Sequence, residues 1–598
     1  MVTLRVLGRA CLLGAAVLVA AITAANCGGG GGGGSSGTAS GTGSGAGSAA
    51  AGASAASGGS TGSAGTSSGG TTTGSTDTGS PGSGTGTASG GTTVSPTHDM
   101  LTYHNDIART GQNLNETILT PANVNSSTFG KLGFFSVDGK VDAQPLYVGS
   151  LEISGGTHNV LYVATENDSV YAFDANSGAT LWQVRTLSTG ETPSDDLGCS
   201  QIVTTIGITS TPVIDRSRGE HGTIYVVAMS KDASGGYHHR VHALDLATGA
   251  ELLNGPTEVA ATYPGTGAGN INGTMSFTPA LYAERAGLLL QGDTLYTSWT
   301  SHCDKGGYTG WIMGYNADTL QQSNVLNVTP NGLGGAIWMS GAGPASDGSS
   351  IYLLDANGTF DTTLTASGMP NQNDFGNAFL KIGTTNGLTV TDYFAMSNVA
   401  DEARDDIDLG SGGALVLPDL TDASGAVQHL ALGAGKDNII YVVNRDSMGK
   451  FNPSGDNIYQ EIAAQLNGGE FGMPAYFNGR IYFGSVGDHL KAFTITNALL
   501  STTPTAQTTM SFAYPGTTPG ISANGSTNGI VWAAENGSVA ALHAFDPVTL
   551  AELYNSNQMG ARDQFGAGNK FITPTIANGK VYVGTTNGVA VFGLLSSG

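Results

Sequence analysis

The stretch Leu161 to Trp182, LYVATENDSVYAFDANSGATLW, returns along the chain in weaker copies, and a repeat of this length restricts the fold more than any other feature of the sequence. Leu161 to Thr165 is a β-rich run, Glu166-Asn167-Asp168 a turn, and Ser169 to Asp174 a second strand, because polar turn formers divide two blocks rich in Val, Tyr and Phe. Asp174 to Gly178 makes another turn, in which Gly178 can take positive φ, and Thr180-Leu181-Trp182 opens a third strand. The unit is a short antiparallel meander.

Further copies begin at Ile224, Leu295, Ile351, Leu430, Ile481, Ile530 and Val581, which makes eight units. Each is preceded by one more strand-like run, starting at Gln144, Thr211, Thr278, Gly343, Gly412, Met473, Pro519 and Thr573. A spacing of roughly 48 to 70 residues with four strands per unit predicts an all-β chain, an eight-bladed β-propeller of antiparallel blades. The eighth unit runs out after three strands. Lys131 to Val137 (KLGFFSV) is a strand without a partner of its own, so it is expected to pair with Val589 to Phe592 and close the ring, leaving no open edge. Blade five is the least marked, since its outer strand after Gly449 has a weak pattern.

Ala172, Asp174, Ser177, Gly178 and Trp182 have the spacing of the repeat of the PQQ-like, or quinoprotein alcohol dehydrogenase-like, propellers, with Ser for the usual Thr. Ala243, Asp245, Thr248 and Gly249 repeat it, as do Ala544, Asp546, Thr549 and Tyr554. The chain resembles that family from about Lys131 to Leu595. The resemblance implies the fold directly, since the motif closes an outer hairpin and packs an aromatic between blades, and it implies pyrroloquinoline quinone (PQQ) and Ca²⁺ as cofactors of an oxidoreductase. The chain departs from the family where the cofactor would sit: there is no pair of adjacent cysteines and no C-x-x-C-H haem pattern. Trp338 is the tryptophan expected near the channel.

Upstream of the repeats, Arg5 and Arg9 precede an apolar run from Ala10 to Ala25, the order and length of an export signal. Ala24-Ala25-Asn26-Cys27 approximates a lipobox, so Cys27 is a candidate lipidation site, with simple cleavage after Ala25 as the alternative. The expected segments are a leader at 1–27, a Gly/Ser/Thr-rich tether at 28–98 that cannot form a core, an N-terminal segment packing on the propeller at 99–130, and the propeller at 131–598. Location is then the cell envelope or surface as a lipoprotein, otherwise secretion, with contact to a membrane only through the lipid.

A formal net charge of −23 opposes nucleic acid and anionic surfaces. Cys199 and Cys303 lie in loops of neighbouring blades on one face, and in an exported chain a disulfide between them is expected. The loops on that face are long, for example Leu187 to Gly207 and Ala356 to Asn377, so function is expected there. Glu402, Asp405, Asp406 and Asp408 are the candidate ligand contacts, Asp406 and Asp408 the candidate metal ligands, and Arg562 and Lys570 the counter-charges. A solvated acidic loop is the alternative for the carboxylates. In Tyr103 to Gly111, His104, Asn105, Asp106 and Arg109 form either a site at the ring edge or an Asp106–Arg109 pair pinning an irregular segment.

Two functional readings remain. The first is an exported, surface-tethered monomer whose propeller is a scaffold binding a small molecule, a carbohydrate or a protein. The alternative is a PQQ-dependent oxidoreductase of alcohols or sugars, for which one carboxylate must serve as base.

Overall fold

A computed structural model describes residues 99–596 apart from 201, 203 and 204; the leader, Cys27 and the tether lie outside the described residues. The chain builds an eight-bladed propeller of mostly antiparallel sheets. Blade 1 is the plainest: Leu146–Ile153, Gly156–Ala164, Ser169–Asp174 and Thr180–Arg185 pair in chain order from the channel outward. Blade 8 takes Thr575–Ala577, Lys580–Gly584 and Gly588–Leu594 from the end of the chain and Phe129–Ser136 from its start. That closing strand is antiparallel, with Lys131 opposite Phe592 and Phe135 opposite Val589. It begins two residues earlier than the sequence pattern suggests, at Phe129, whose ring packs on Tyr554 and Phe592.

The repeated turn works as the motif predicts. Asp174 accepts hydrogen bonds from the Ser177 amide at 2.6 Å and hydroxyl at 2.8 Å, and Asp245 and Asp546 do the same with Thr248 and Thr549. Trp182 then donates to the Leu246 carbonyl of the next blade at 2.9 Å. Gly178 has φ +76, and a Cβ there would lie 2.5 Å from the Phe135 ring of the closing strand. The turn therefore requires glycine on conformational and steric grounds.

Blade 5 departs from the expected pattern. Lys450–Phe451, just past Gly449, pairs in parallel with the outer strand of blade 4, Thr389–Ala395. The fourth strand of blade 5 is Gln460–Ile462, opposite Ile440–Asn444.

The N-terminal segment is not at the ring edge but inside the channel. Met100 bonds both ways with Tyr147, and the Leu101, Ile107, Ala108, Thr110 and Gly111 carbonyls accept from Ile214, Ser346, Val416, Tyr476 and Ile521. Arg109 reaches Leu288 at 3.1 Å and Asn113 reaches Ile576 at 2.9 Å. Every blade is thus tied to one short stretch. Arg109 and Asp106 do not pair through the carboxylate, contrary to the expected pinning contact. Asp106 instead caps the Thr110 amide at 3.0 Å, and Arg109, 0% exposed, spends its guanidinium on the Pro344, Tyr103, Leu288 and Asp106 carbonyls and the Thr102 hydroxyl.

Candidate functional site

The channel segment meets the inner strands near their middles and ends. At the other end, the loops leading into those strands enclose a chamber on the long-loop face. It has two compartments that share Ile202, Arg285, Lys570 and Phe571. One, a narrow space of about 20 Å³, is walled by Trp338, Phe471, Tyr514 and Phe571. The other, of about 220 Å³, carries the polar side chains Lys140, Asp142, Asn536 and Asn569.

Arg285 is placed by an irregularity in blade 3. The inner strand there is split into Tyr282–Glu284 and Leu289–Gln291, both paired to Thr294–Ser301, and the four residues between them turn into the channel. Arg285 is 2% exposed. Its Nη1 donates to the Thr209 carbonyl at 3.0 Å, and its guanidinium carbon stands 5.3 Å from the centre of the Phe571 ring. Gly341, φ +86, lets the guanidinium through, since a Cβ would sit 2.8 Å from Nη2. Met339 and Ser340, just before it, have φ of 46 and 45 without being glycine, a local strain that rigid surroundings must hold. Ser340 lines the aromatic compartment.

Lys570 is the second cation. Burial lowers its pKa, and the neighbouring charge of Arg285 lowers it further. Its ammonium lies 5.9 Å from the Tyr514 ring centre. Opposing these cations is a carboxylate pair. Glu166, 1% exposed, is pushed well above its ordinary value by burial and by Asp142, with Lys140 at 2.7 Å only partly compensating. Burial would also raise Asp142, but a hydrogen bond with Glu166 and the charges of Arg285 and Lys140 carry it below its ordinary value. Of the two, Glu166 therefore keeps a proton the more readily and Asp142 gives one up the more readily. The Asn569 amide donates to Asp142.

The disulfide is formed. Cys199 and Cys303, with Cα atoms 5.7 Å apart, join the loop leading into blade 2 to the loop after the second strand of blade 3. Trp338 donates to Ser301, two residues from that bridge, at 3.3 Å.

The residues singled out in the sequence do not gather at one place. Lys570 and Asp408 line the aromatic compartment. Asp408 is buried and held by Lys436 at 2.6 Å, and Asp406 holds the other side of the same ammonium at 2.8 Å. Asp405 turns out to solvent against Arg404. Glu402 is buried on the short helix Val399–Arg404, where it accepts from Asn398 at 2.9 Å. Arg562 does not serve as a counter-charge to the chamber: it pairs with Asp563 at 2.6 Å and donates to the Ser126 and Phe129 carbonyls beside the closing strand. Among the described residues no three His, Cys, Asp or Glu side chains converge as metal ligands do.

No family model and no curated protein matches the chain. Solved structures do. Quinohemoprotein alcohol dehydrogenase from Comamonas testosteroni aligns with TM-score 0.53 and 15% identity over 83% of this chain and 80% of that one. Quinohemoprotein alcohol dehydrogenase ADHIIG from Pseudomonas putida HK5 aligns with TM-score 0.54 and 12% identity over 84% and 81%. The chain has the eight-bladed fold of the quinoprotein alcohol dehydrogenases. A europium-containing methanol dehydrogenase aligns over 83% of this chain and 98% of its own, at 13% identity and TM-score 0.50. At these identities the likeness concerns the fold alone, and a shared fold does not fix the chemistry of the chamber.

A planar polycarboxylate quinone would need flat apolar faces and cations to meet its carboxylates. Trp338, Phe571 and Tyr514 offer faces, and Arg285 and Lys570 cations, so the side chains of the lining suit such a group in kind. The companion metal fits less well, since Asp408 is taken by Lys436, which leaves Asp142 alone among the carboxylates lining the two compartments.

Proposed function

We propose that the channel mouth binds a planar, polyanionic aromatic ring of the PQQ kind, and that the chain is an oxidoreductase of alcohols or sugars. The observation that carries this reading is Arg285: a guanidinium with one hydrogen bond, an aromatic face and the charge of Asp142 as its described partners, at the meeting point of an aromatic and a polar compartment. A guanidinium that keeps spare donors at the edge of a cavity is a place for a further anion. When bound, a quinone supplies the capacity to accept hydride.

The chain's own residues have separate tasks. Arg285 and Lys570 hold carboxylates and orient the ring, and their charge favours any anion that develops beside it. Trp338 and Phe571 cover it and exclude water. Ionised Asp142, in the polar compartment, accepts the hydrogen bond of a substrate hydroxyl, and the Asp142–Glu166 pair takes its proton. Asn536 and Asn569 position the remaining polar groups.

The experiment is turnover: the purified chain is incubated with PQQ, with and without Ca²⁺, and assayed for dye reduction by alcohols and aldoses. Reduction that is lost in Asp142→Asn supports the reading, and no reduction with any of these substrates contradicts the oxidoreductase part of it. A second reading, a scaffold that binds a ring anion without oxidising anything, is favoured by the absence of three converging metal ligands among the described residues. We also propose export and anchoring through Cys27, on the strength of Arg5, Arg9 and the apolar run. Mass spectrometry of the mature N-terminus decides: a diacylated Cys27 supports the anchor, and a terminus at Asn26 excludes it.

A further inference from the structure

The polar compartment is small and its charge is one-sided. Its volume of about 220 Å³ lies below the range of roughly 300–1,000 Å³ that holds a drug-sized ligand, so it admits a molecule the size of a single hexose and not an oligosaccharide. The walls carry three cations, Lys140, Arg285 and Lys570, against one carboxylate, Asp142. Lys140 is taken by Glu166 at 2.7 Å.

Lys570 is the cation most open to a ligand. Its ammonium stands 5.9 Å from the centre of the Tyr514 ring, and among the described residues it forms no ion pair and donates no hydrogen bond, so its three donors are available. Burial opposes its charge, and so do Arg285 and Lys140. A ligand carboxylate relieves that repulsion, where a neutral ligand cannot.

Beside this cation the lining suits hydroxyl groups. Asn569, 8% exposed, joins acceptor to cation: its Nδ2 donates to Asp142, and its Oδ1 accepts from the Lys570 amide at 3.1 Å. Ionised Asp142 keeps acceptor capacity for a hydroxyl. Asn536 also lines the compartment, and its side-chain amide, which makes no hydrogen bond within the described residues, offers both donors and an acceptor. Gly568 leaves that amide its room, since a Cβ there would lie 3.1 Å from the Asn536 Oδ1. Phe571 adds an apolar face.

We infer that the polar compartment takes a polyhydroxy acid, a single sugar acid of the gluconate or glucuronate kind, as the substrate of the chamber. Its carboxylate meets Lys570, with Arg285 beside it, and its hydroxyls meet Asp142 and Asn536. A neutral sugar would leave the ammonium without an anion, and acetate would leave Asp142 and Asn536 without hydroxyls. This substrate class rests on the reading of the chamber as an oxidising site for alcohols or sugars, but binding of the acid requires no turnover.

Binding is read by saturation-transfer difference NMR on the full chain without PQQ, with glucuronate, gluconate, glucose and acetate as probes. The two acids should saturate and bind at least tenfold more tightly than glucose or acetate, and added salt should weaken them. Lys570→Met should weaken the acids by about tenfold or more and leave the weaker glucose binding unchanged. Asn536→Ala should weaken acids and glucose alike. No saturable binding of the acids, equal affinity for acids and glucose, or acid binding that survives both substitutions would overturn the inference. So would PQQ-dependent dye reduction by glucose or simple alcohols and none by the acids, which would leave the oxidoreductase reading standing. Acids that bind as described, with no dye reduction by any substrate, would remove the oxidoreductase reading and support the compartment's ligand class.

Discussion

The channel holds two buried arginines that differ in almost every respect except burial. Arg109, at the closed end, spends its guanidinium on four carbonyls and a hydroxyl. Arg285, at the mouth, has one carbonyl and the face of Phe571. Both are buried, but only Arg109 has its guanidinium filled by hydrogen bonds to the fold, whereas Arg285 faces a cavity with the charge of Asp142 nearby. A fully paired arginine is part of the architecture. An under-paired one facing a cavity is a place for an anion.

The comparison breaks most visibly at the closed end. Arg109→Ala removes bonds to two blades and within the threaded segment and strands buried carbonyls, so a loss of about 5 kcal/mol or more is expected. A fall of several degrees in Tm, or failure to fold, is the predicted result; a Tm unchanged from the parent would show that the threaded segment is decoration.

At the mouth, replacing Cys199 and Cys303 by Ser opens a loop of sequence separation 104. Loop-closure entropy sets the cost at about 4 kcal/mol, and less where the unfolded chain is already compact. The far-ultraviolet circular dichroism of the ring should persist while the chamber loosens, so ligand affinity should fall further than stability does.

The third test is pH. Burial holds Glu470 at about 8 and Glu402 at about 7, both raised above the usual carboxylate range. A raised carboxylate contributes stability in full below its unfolded value, and that contribution is lost as pH climbs through the folded one. Stability should therefore decline between about pH 5 and pH 8, by at most ~1.4 kcal/mol per pH unit for each group. Carboxylates held down to about 2, such as Glu191 and Asp174, act below this window and do not disturb it. Glu470→Gln should flatten the slope in a Tm series; an unaltered slope would remove Glu470 as its cause.

Much of the ring could be read from residues. Asp174, Asp245 and Asp546 mark outer turns because each must cap the same two donors, and a strand as apolar as KLGFFSV has to find a sheet. Blade 5 was obscure because the residues after Gly449 pair with blade 4 instead. The threading of residues 99–116 left no periodic trace, since it rests largely on main-chain bonds, with Arg109 and Asn113 as isolated side-chain ties to blades 3 and 8. The chamber was only partly visible. Lys570 was legible by its position next to a strand start, and so was Trp338. Arg285 was not, because its position depends on a split strand that ordinary alternation conceals. Arg562 has the composition of a site residue, and its neighbour Asp563 already satisfies it.

The smallest predicted change in stability tests the central claim most directly. Arg285→Met deletes a charge that the fold leaves thinly paired, so Tm should stay within about 2 °C of the parent. Titrated with PQQ and followed by tryptophan fluorescence, the parent should show saturable one-to-one quenching, and Arg285→Met should bind at least tenfold more weakly, as expected for a lost charge-assisted bond of about 1.5–3 kcal/mol. No saturable quenching in the parent, or equal affinity in parent and variant, would contradict the account of the channel mouth as an anion-binding chamber.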